Sequence, residues 1–181
     1  MNLPPSGDQE EFYELLLLQA RTDGERASIM LLWRTGMHSS TLVEREFFWC
    51  GTEGKQEAIC WDRPKTEAPM RAAIPRAEAK LIKRVLAAGS LPATQGILRR
   101  RLAAVAKRAG YSGVTPLTLR HSRAVYLLDS GITVNRVASL LGCSWQVLEK
   151  HYAQIEAARL VEKPKKKKRR GKMNEQCSQC G

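Results

Sequence analysis

Apolar positions recur at intervals of three and four along most of the chain, the spacing that places them on one face of a helix. Glycines close several of these segments, as at Gly36, Gly110 and Gly142, because glycine readily adopts the left-handed conformation that ends helices. Asp23 stands where a capping side chain begins one of them. We predict helices over residues 10–20, 23–35, 39–46, 77–88, 95–109, 117–129, 134–141 and 145–152.

The pattern changes between the third and fourth of these helices. Aromatic residues from Phe47 begin a β-like stretch, and residues 51–54 (GTEG) have the composition of a turn. Residues 58–62 and 72–74 are typical of short strands around a second turn at residues 63–66. The sequence therefore predicts a mainly α fold with a small antiparallel β-sheet (α+β) of two or three strands.

The C-terminal segment differs in composition from the rest. Residues 1–160 form one predicted domain, and residues 161–181 a disordered basic tail, with eight positive charges between residues 163 and 172. Such a tail suits an arm along a phosphate backbone or a nuclear-import signal. It ends in Cys177 and Cys180, whose CxxC spacing supplies two of the four ligands of a structural zinc site, so we predict no metal.

Positive charge is concentrated in the middle of the chain. The net charge is +12, yet residues 1–78 carry a net −4, whereas residues 79–128 hold ten bases and no acid. This asymmetry favours a polyanionic partner over a solvated basic face, which normally mixes both signs. The candidate DNA contacts are Arg34, Arg99, Arg100, Arg101, Lys107, Arg108 and Arg123.

Other compositional features bear on the compartment. No apolar run is long enough to cross a membrane, and the N-terminus has no basic segment followed by an apolar one. The five cysteines are odd in number and scattered, which predicts reduced thiols rather than disulfides. We expect a cytoplasmic protein without a membrane partner.

A motif in residues 115–155 carries the candidate chemistry. Arg120 is followed by His121, an apolar run and the triplet Leu141-Gly142-Cys143, and Tyr152 comes nine residues after Cys143. This order resembles the C-terminal part of tyrosine recombinases, the phage-type integrases. Residues 31–42 resemble the first-arginine box of that family, and residues 59–75 resemble its hairpin, with Lys65 as the matching lysine. The resemblance extends over residues 8–158.

The resemblance implies the recombinase catalytic-domain fold and a site-specific recombinase or integrase that cleaves and rejoins DNA strands. Tyr152 would attack a phosphodiester and form a 3′-phosphotyrosine, Lys65 would protonate the leaving 5′-oxygen, and Arg120 would stabilise the charge on phosphate. No metal or nucleotide cofactor is implied, because the covalent intermediate keeps the bond energy. The implied partners are double-stranded DNA, at the nucleoid, and further copies of the chain in a tetramer.

Three positions depart from the family pattern. His38 stands at the first arginine, Leu117 at the histidine before Arg120, and Cys143 at the third histidine. Leucine cannot donate to phosphate, and an imidazole, with an ordinary pKa of about 6.5, is a cation only when protonated. Arg34, one helical turn before His38, is a candidate replacement. The sequence thus leaves open both an active enzyme and a catalytically inactive DNA-binding derivative.

The same residues also fit other interpretations. Ala138, Gly142 and Leu148 have the spacing of a helix-turn-helix, which would make residues 145–152 a recognition helix in a regulator. Tyr152 shares a helical face with Leu148 and Trp145, so core packing is an alternative explanation for it. Lys65, likewise, fits an ordinary turn lysine, and Cys143 a small buried thiol.

Overall fold

The computed structural model describes residues 8–63, 68–146, 148 and 149. Within these residues, three helices precede a sheet and four follow it. A further helical turn includes residues 145, 146, 148 and 149. The elements are α1 (Gln9–Gln19), α2 (Asp23–Thr35), α3 (Ser39–Glu44), β1 (Phe47–Glu53), β2 (Gln56–Asp62), β3 (Pro69–Pro75), α4 (Arg76–Ala87), α5 (Gln95–Arg108), α6 (Pro116–Asp129) and α7 (Val134–Leu141).

The predicted mainly helical fold with a small antiparallel sheet is confirmed. The sheet has three strands in the order β1-β2-β3, each antiparallel to its neighbour. The predicted turn at residues 51–54 is wrong, because β1 continues through Glu53 and the chain reverses at Gly54 and Lys55. Gly51 instead lies at an irregularity where the register shifts after Trp49, and glycine commonly marks such bulges.

A disulfide joins Cys50 of β1 to Cys60 of β2, so the prediction of reduced thiols is wrong for this pair. Cys50 lies at the irregularity in β1, and its Cα is 6.0 Å from that of Cys60, a separation suited to a bridge. A sequence spacing of ten gives no sign of this proximity, because strand pairing alone creates it. Cys143 is a free thiol.

Helix α2 forms the centre of the core. Its Trp33 is 1% exposed and stacks on Tyr13 of α1, with ring centroids 4.8 Å apart. A second apolar cluster joins α6 to α7 and includes Leu127, Leu141 and Leu148. The two clusters fix the C-terminal ends of α2 and α7 near the N-terminal half of α6, where the candidate site lies.

The start of α6 is set by its own sequence. Thr115 caps the helix through a reciprocal pair of hydrogen bonds with Thr118, and Pro116 occupies the first helical turn. This precise start places Arg120 slightly more than one turn into the helix.

Helices of the described residues are too short or too polar to cross a membrane.

Candidate active site

Arg120 is held between the ends of two other helices. One terminal nitrogen of its guanidinium donates to the carbonyl of Gly36, and the other donates to the carbonyl of Leu141, both at 2.6 Å. Gly36 is the C-cap of α2 and Leu141 is the last residue of α7. Carbonyls at helix C-termini carry partial negative charge, so these bonds orient the guanidinium and leave it further N–H donors for a ligand.

Gly36 allows these three helices to meet. Its φ is +62°, and a Cβ added there would lie 2.4 Å from Cδ2 of Leu141 and 4.0 Å from Cγ of Arg120. A side chain at this position would therefore be strained and would displace the residues that hold Arg120. The glycine of the TGMH segment, residues 35–38, has a packing role that the resemblance alone did not indicate.

The structure brings three sequence-predicted positions to this junction. His38 is the exposed N-cap of α3, two residues after Gly36. Cys143 follows Gly142, the C-cap of α7. Leu117 lies near the start of α6 and is 56% exposed. The other two candidate catalytic residues, Lys65 and Tyr152, lie outside the described residues.

The electrostatic environment of Arg120 is unfavourable to its charge. Burial lowers the pKa of the Arg120 guanidinium, Cys143 partly offsets this effect, and the nearby charge of Arg63 lowers the pKa further. Among the described residues no carboxylate forms an ion pair with Arg120. Two cations close together without a partner anion form a site suited to phosphate. Arg63, a member of this site, was not among the sequence candidates.

Arg34 is not a replacement for the missing arginine in this structure. Its Nε and a terminal nitrogen bind the carboxylate of Glu78 at 2.9 and 2.6 Å, and its guanidinium lies over the ring of Tyr13. To replace the missing arginine, Arg34 would have to share a helical face with His38. However, α2 ends at Thr35 and the left-handed Gly36 redirects the chain, so that face does not continue to His38.

Arg123 is also turned toward the interior. Its guanidinium lies over the rings of Trp33 and Tyr126, 5.8 and 5.1 Å from their centroids. Burial lowers the pKa of Arg123, and the charge of Arg34 lowers it further. The side chain therefore packs the α2–α6 contact.

Helix α5 presents part of its basic sequence to solvent. Arg99, Arg100 and Lys107 are exposed. By contrast, Arg101 donates to the carbonyl of Ser90, at 3.0 Å. Arg108 donates to the carbonyl of Gln19 and to the carboxylate of Glu25, each at 2.9 Å.

The exposed bases of α5 begin beside the Arg120 junction. The hydroxyl of Ser39, next to His38 in the chain, donates to the side-chain oxygen of Gln95 in the first turn of α5, at 3.3 Å. Arg99 lies one turn beyond Gln95 along α5. The junction and the three exposed bases therefore form one candidate nucleic-acid interface, which we call the α5 face.

The structure also bears on the helix-turn-helix and core-packing interpretations of residues 134–152. Ala138 and Leu148 are buried in one cluster, and Gly142 is left-handed between them, so the two-helix corner of a helix-turn-helix is present. Trp145 is 48% exposed whereas Leu148 is 6% exposed. Tyr152 itself lies outside the described residues, so its core-packing interpretation stays a hypothesis. No cluster of three or more potential metal ligands occurs among the described residues.

Comparison with known proteins identifies the architecture. No protein-family model and no curated protein matches the sequence. A crystal structure of XerA recombinase superposes with a TM-score of 0.67 at 17% identity, covering 90% of this chain and 66% of that one. The chain has the tyrosine recombinase fold.

A second tyrosine recombinase has the same architecture. The structure of XerH site-specific recombinase bound to its difH substrate, a pre-cleavage complex, superposes with a TM-score of 0.64 at 19% identity. That match covers 89% of this chain and 52% of XerH. The chain thus spans about two thirds of XerA and about half of XerH.

Proposed function

We propose that this protein binds double-stranded DNA and cleaves and rejoins its strands through a 3′-phosphotyrosine at Tyr152, as in integration, excision or resolution at specific sites. The observation that carries the proposal is Arg120, which is braced by two helix ends, close to a second guanidinium and without a carboxylate partner among the described residues. A synapsed tetramer on two duplexes, at the nucleoid, belongs to the same proposal.

The chemistry needs only side chains of the chain itself. The Tyr152 oxygen attacks phosphorus, its proton passes to water, and the bond from phosphorus to the 5′-oxygen breaks. Lys65 gives a proton to the departing 5′-oxygen. Arg120 donates to the non-bridging oxygens as their charge grows, and its two carbonyl braces hold it in place beforehand. Rejoining is the reverse attack by a 5′-hydroxyl on the phosphotyrosine.

DNA binding without cleavage is the second candidate function, and a specific observation favours it. The exposed Leu117 supplies no donor where the family has a histidine, and His38 replaces a permanent cation. Each lost donor typically lowers the rate about a hundredfold or more. A protein that binds DNA through the α5 face and competes at recombination sites would tolerate both losses, as would a helix-turn-helix regulator.

Covalent trapping separates the two functions. The protein is incubated with a pool of duplexes of randomised sequence, without added metal or nucleotide, and is then denatured with detergent. We expect DNA-linked protein from the wild type and none from Tyr152→Phe. Tyr111→Phe is the matched control, since its ring packs edge-on against Phe12, away from Arg120. Native-gel retention without any detergent-stable complex would instead support the binding-only candidate.

The α5 face predicts a specific salt dependence. Replacing Arg99 and Arg100 with glutamine should weaken duplex binding and reduce the slope of log K against log salt by about 1.8, since each phosphate contact contributes roughly 0.9. Fluorescence anisotropy across a salt series measures the slope. The control removes the same charge from Arg76 and Lys80, two exposed residues one turn apart on α4. Equal changes in both double variants would show net charge acting alone, and would count against the α5 face.

A further inference from the structure

The end of strand β2 places an arginine beside the Arg120 junction. The backbone N–H of Arg63 donates to the carbonyl of Ala68 at 3.0 Å, which fixes its position at the base of the β2–β3 connection. Its side chain is half-buried. Among the described residues it forms no ion pair and no side-chain hydrogen bond.

The side chain of Arg63 lies beside the turn that follows α7. A Cβ added to Gly142 would lie 3.4 Å from Cδ of Arg63 and 3.2 Å from Cε of Met70. Gly142 follows Leu141, whose carbonyl binds Arg120. Both arginines therefore lie beside the same short turn, on which the side chain of Met70 packs most closely.

The charges at this turn are unbalanced. Burial is the main cause of the lowered pKa of Arg120, Cys143 opposes it, and the positive charge of Arg63 adds to the lowering. Bringing two cations together costs free energy unless an anion lies between them. Replacement of either arginine by a neutral residue would remove this repulsion. A bound phosphate would instead be attracted by both positive charges, which strengthens its binding.

We infer that Arg63 places its guanidinium on the same DNA phosphate as Arg120 and supplies the permanent cation that is missing at His38. The inference rests on the proposed function, because it assigns a second arginine to the same phosphate. Guanidinium carries its charge at every physiological pH, so Arg63 provides what an imidazole at position 38 provides only when protonated. The departure from the family pattern at His38 is thereby compensated from a different element, the end of β2.

Arginine-directed footprinting tests the contact without requiring cleavage. The wild-type protein is treated with a phenylglyoxal reagent with and without a duplex of randomised sequence, and modified arginines are located by mass spectrometry. We expect DNA to protect Arg63, whereas the exposed Arg76, at the opposite end of β3, should stay reactive. Undiminished modification of Arg63 in fully bound protein would overturn the inference.

Adduct formation tests the catalytic contribution. Arg63→Gln should slow formation of the detergent-stable complex by about a hundredfold, with partial recovery in Arg63→Lys and no fall in melting temperature. The matched control is Arg45→Gln, since Arg45 lines the same open cleft as Arg63 without acting on Arg120. Equal rates in Arg63→Gln and the wild type would overturn the inference while leaving the proposed function intact. A wild type that forms no adduct would refute the proposed cleavage, and the footprint would then decide on Arg63 alone.

Discussion

An Arg120→Ala variant should form the covalent DNA complex about a hundred to a thousand times more slowly than the wild type. The substitution removes the braced guanidinium that, in the proposed reaction, donates to the phosphate as negative charge develops. It also leaves the carbonyls of Gly36 and Leu141 without their donor, which should cost roughly 1–3 kcal/mol of stability for each buried group. Quenched time courses with the randomised duplex pool give the rate, and thermal melting gives the stability.

Two further variants separate chemistry from folding. Arg120→Lys keeps the charge but lacks the planar fork that reaches two carbonyls and a phosphate at once, so its adduct rate should remain well below that of the wild type. Arg84→Ala removes a guanidinium that pairs with Asp23 at 2.7 Å, away from the junction, and its rate should be unchanged. An Arg120→Ala protein that stays folded and forms adducts at the wild-type rate would exclude Arg120 from the reaction.

Gly36→Ala should destabilise the fold by about 2–4 kcal/mol, because it adds left-handed strain to a direct clash with the Leu141 side chain. Gly89→Ala measures the left-handed strain alone, since Gly89 has φ +60° with no atom within 4 Å of an added Cβ. It should lower the free energy of unfolding by only about 1–2 kcal/mol. For a chain of this size the melting temperature falls by roughly 2–4 °C per kcal/mol.

A double variant tests the cause of the larger loss. Leu141→Ala removes the atoms that the new methyl group would meet, so Gly36→Ala and Leu141→Ala together should destabilise the protein less than the sum of their separate effects. If the two losses of stability simply add, the methyl group added at position 36 does not clash with Leu141 in the folded protein. The junction would then be looser than the 2.4 Å approach indicates.

The local features of the fold could be predicted from the sequence because they depend on neighbouring residues. The helix from Val134 to Leu141 follows from apolar spacing and a closing glycine, and both predicted ends agree with the structure. The start of α6 follows from Thr115 and Pro116. The spacing between Arg120 and Cys143 likewise indicated that both belong to one site, and the structure brings them together.

The contacts that could not be predicted join residues far apart in the chain. Arg34 pairs with Glu78, 44 positions away, and no local pattern distinguishes that pairing from exposure to a phosphate. Cys50 and Cys60 meet only because β1 and β2 pair with a register shift. In the sequence, Arg63 is simply the first residue of a predicted turn. Its proximity to Arg120 depends on how the hairpin packs against the turn after α7.

The proposed site has a second arginine but lacks one hydrogen-bond donor of the family pattern. Two arginines from separate elements, α6 and the end of β2, meet at the turn after α7. Leu117 nevertheless presents a largely exposed apolar side chain near them, and this side chain can pack against DNA but cannot donate to it. We therefore expect a slower reaction than that of a recombinase with the full family pattern, and the trapping experiments call for long incubations.

Identification of the DNA-linked residue decides whether Tyr152 is the nucleophile. Detergent-stable complexes from the randomised duplex pool are trimmed with nuclease and digested with protease, and the nucleotide-bearing peptide is sequenced by mass spectrometry. We expect a phosphodiester on Tyr152, with a free 5′-hydroxyl on the cleaved strand. A nucleotide attached to any other residue, or protein that binds the duplexes in native gels yet never becomes linked to them, would contradict that expectation.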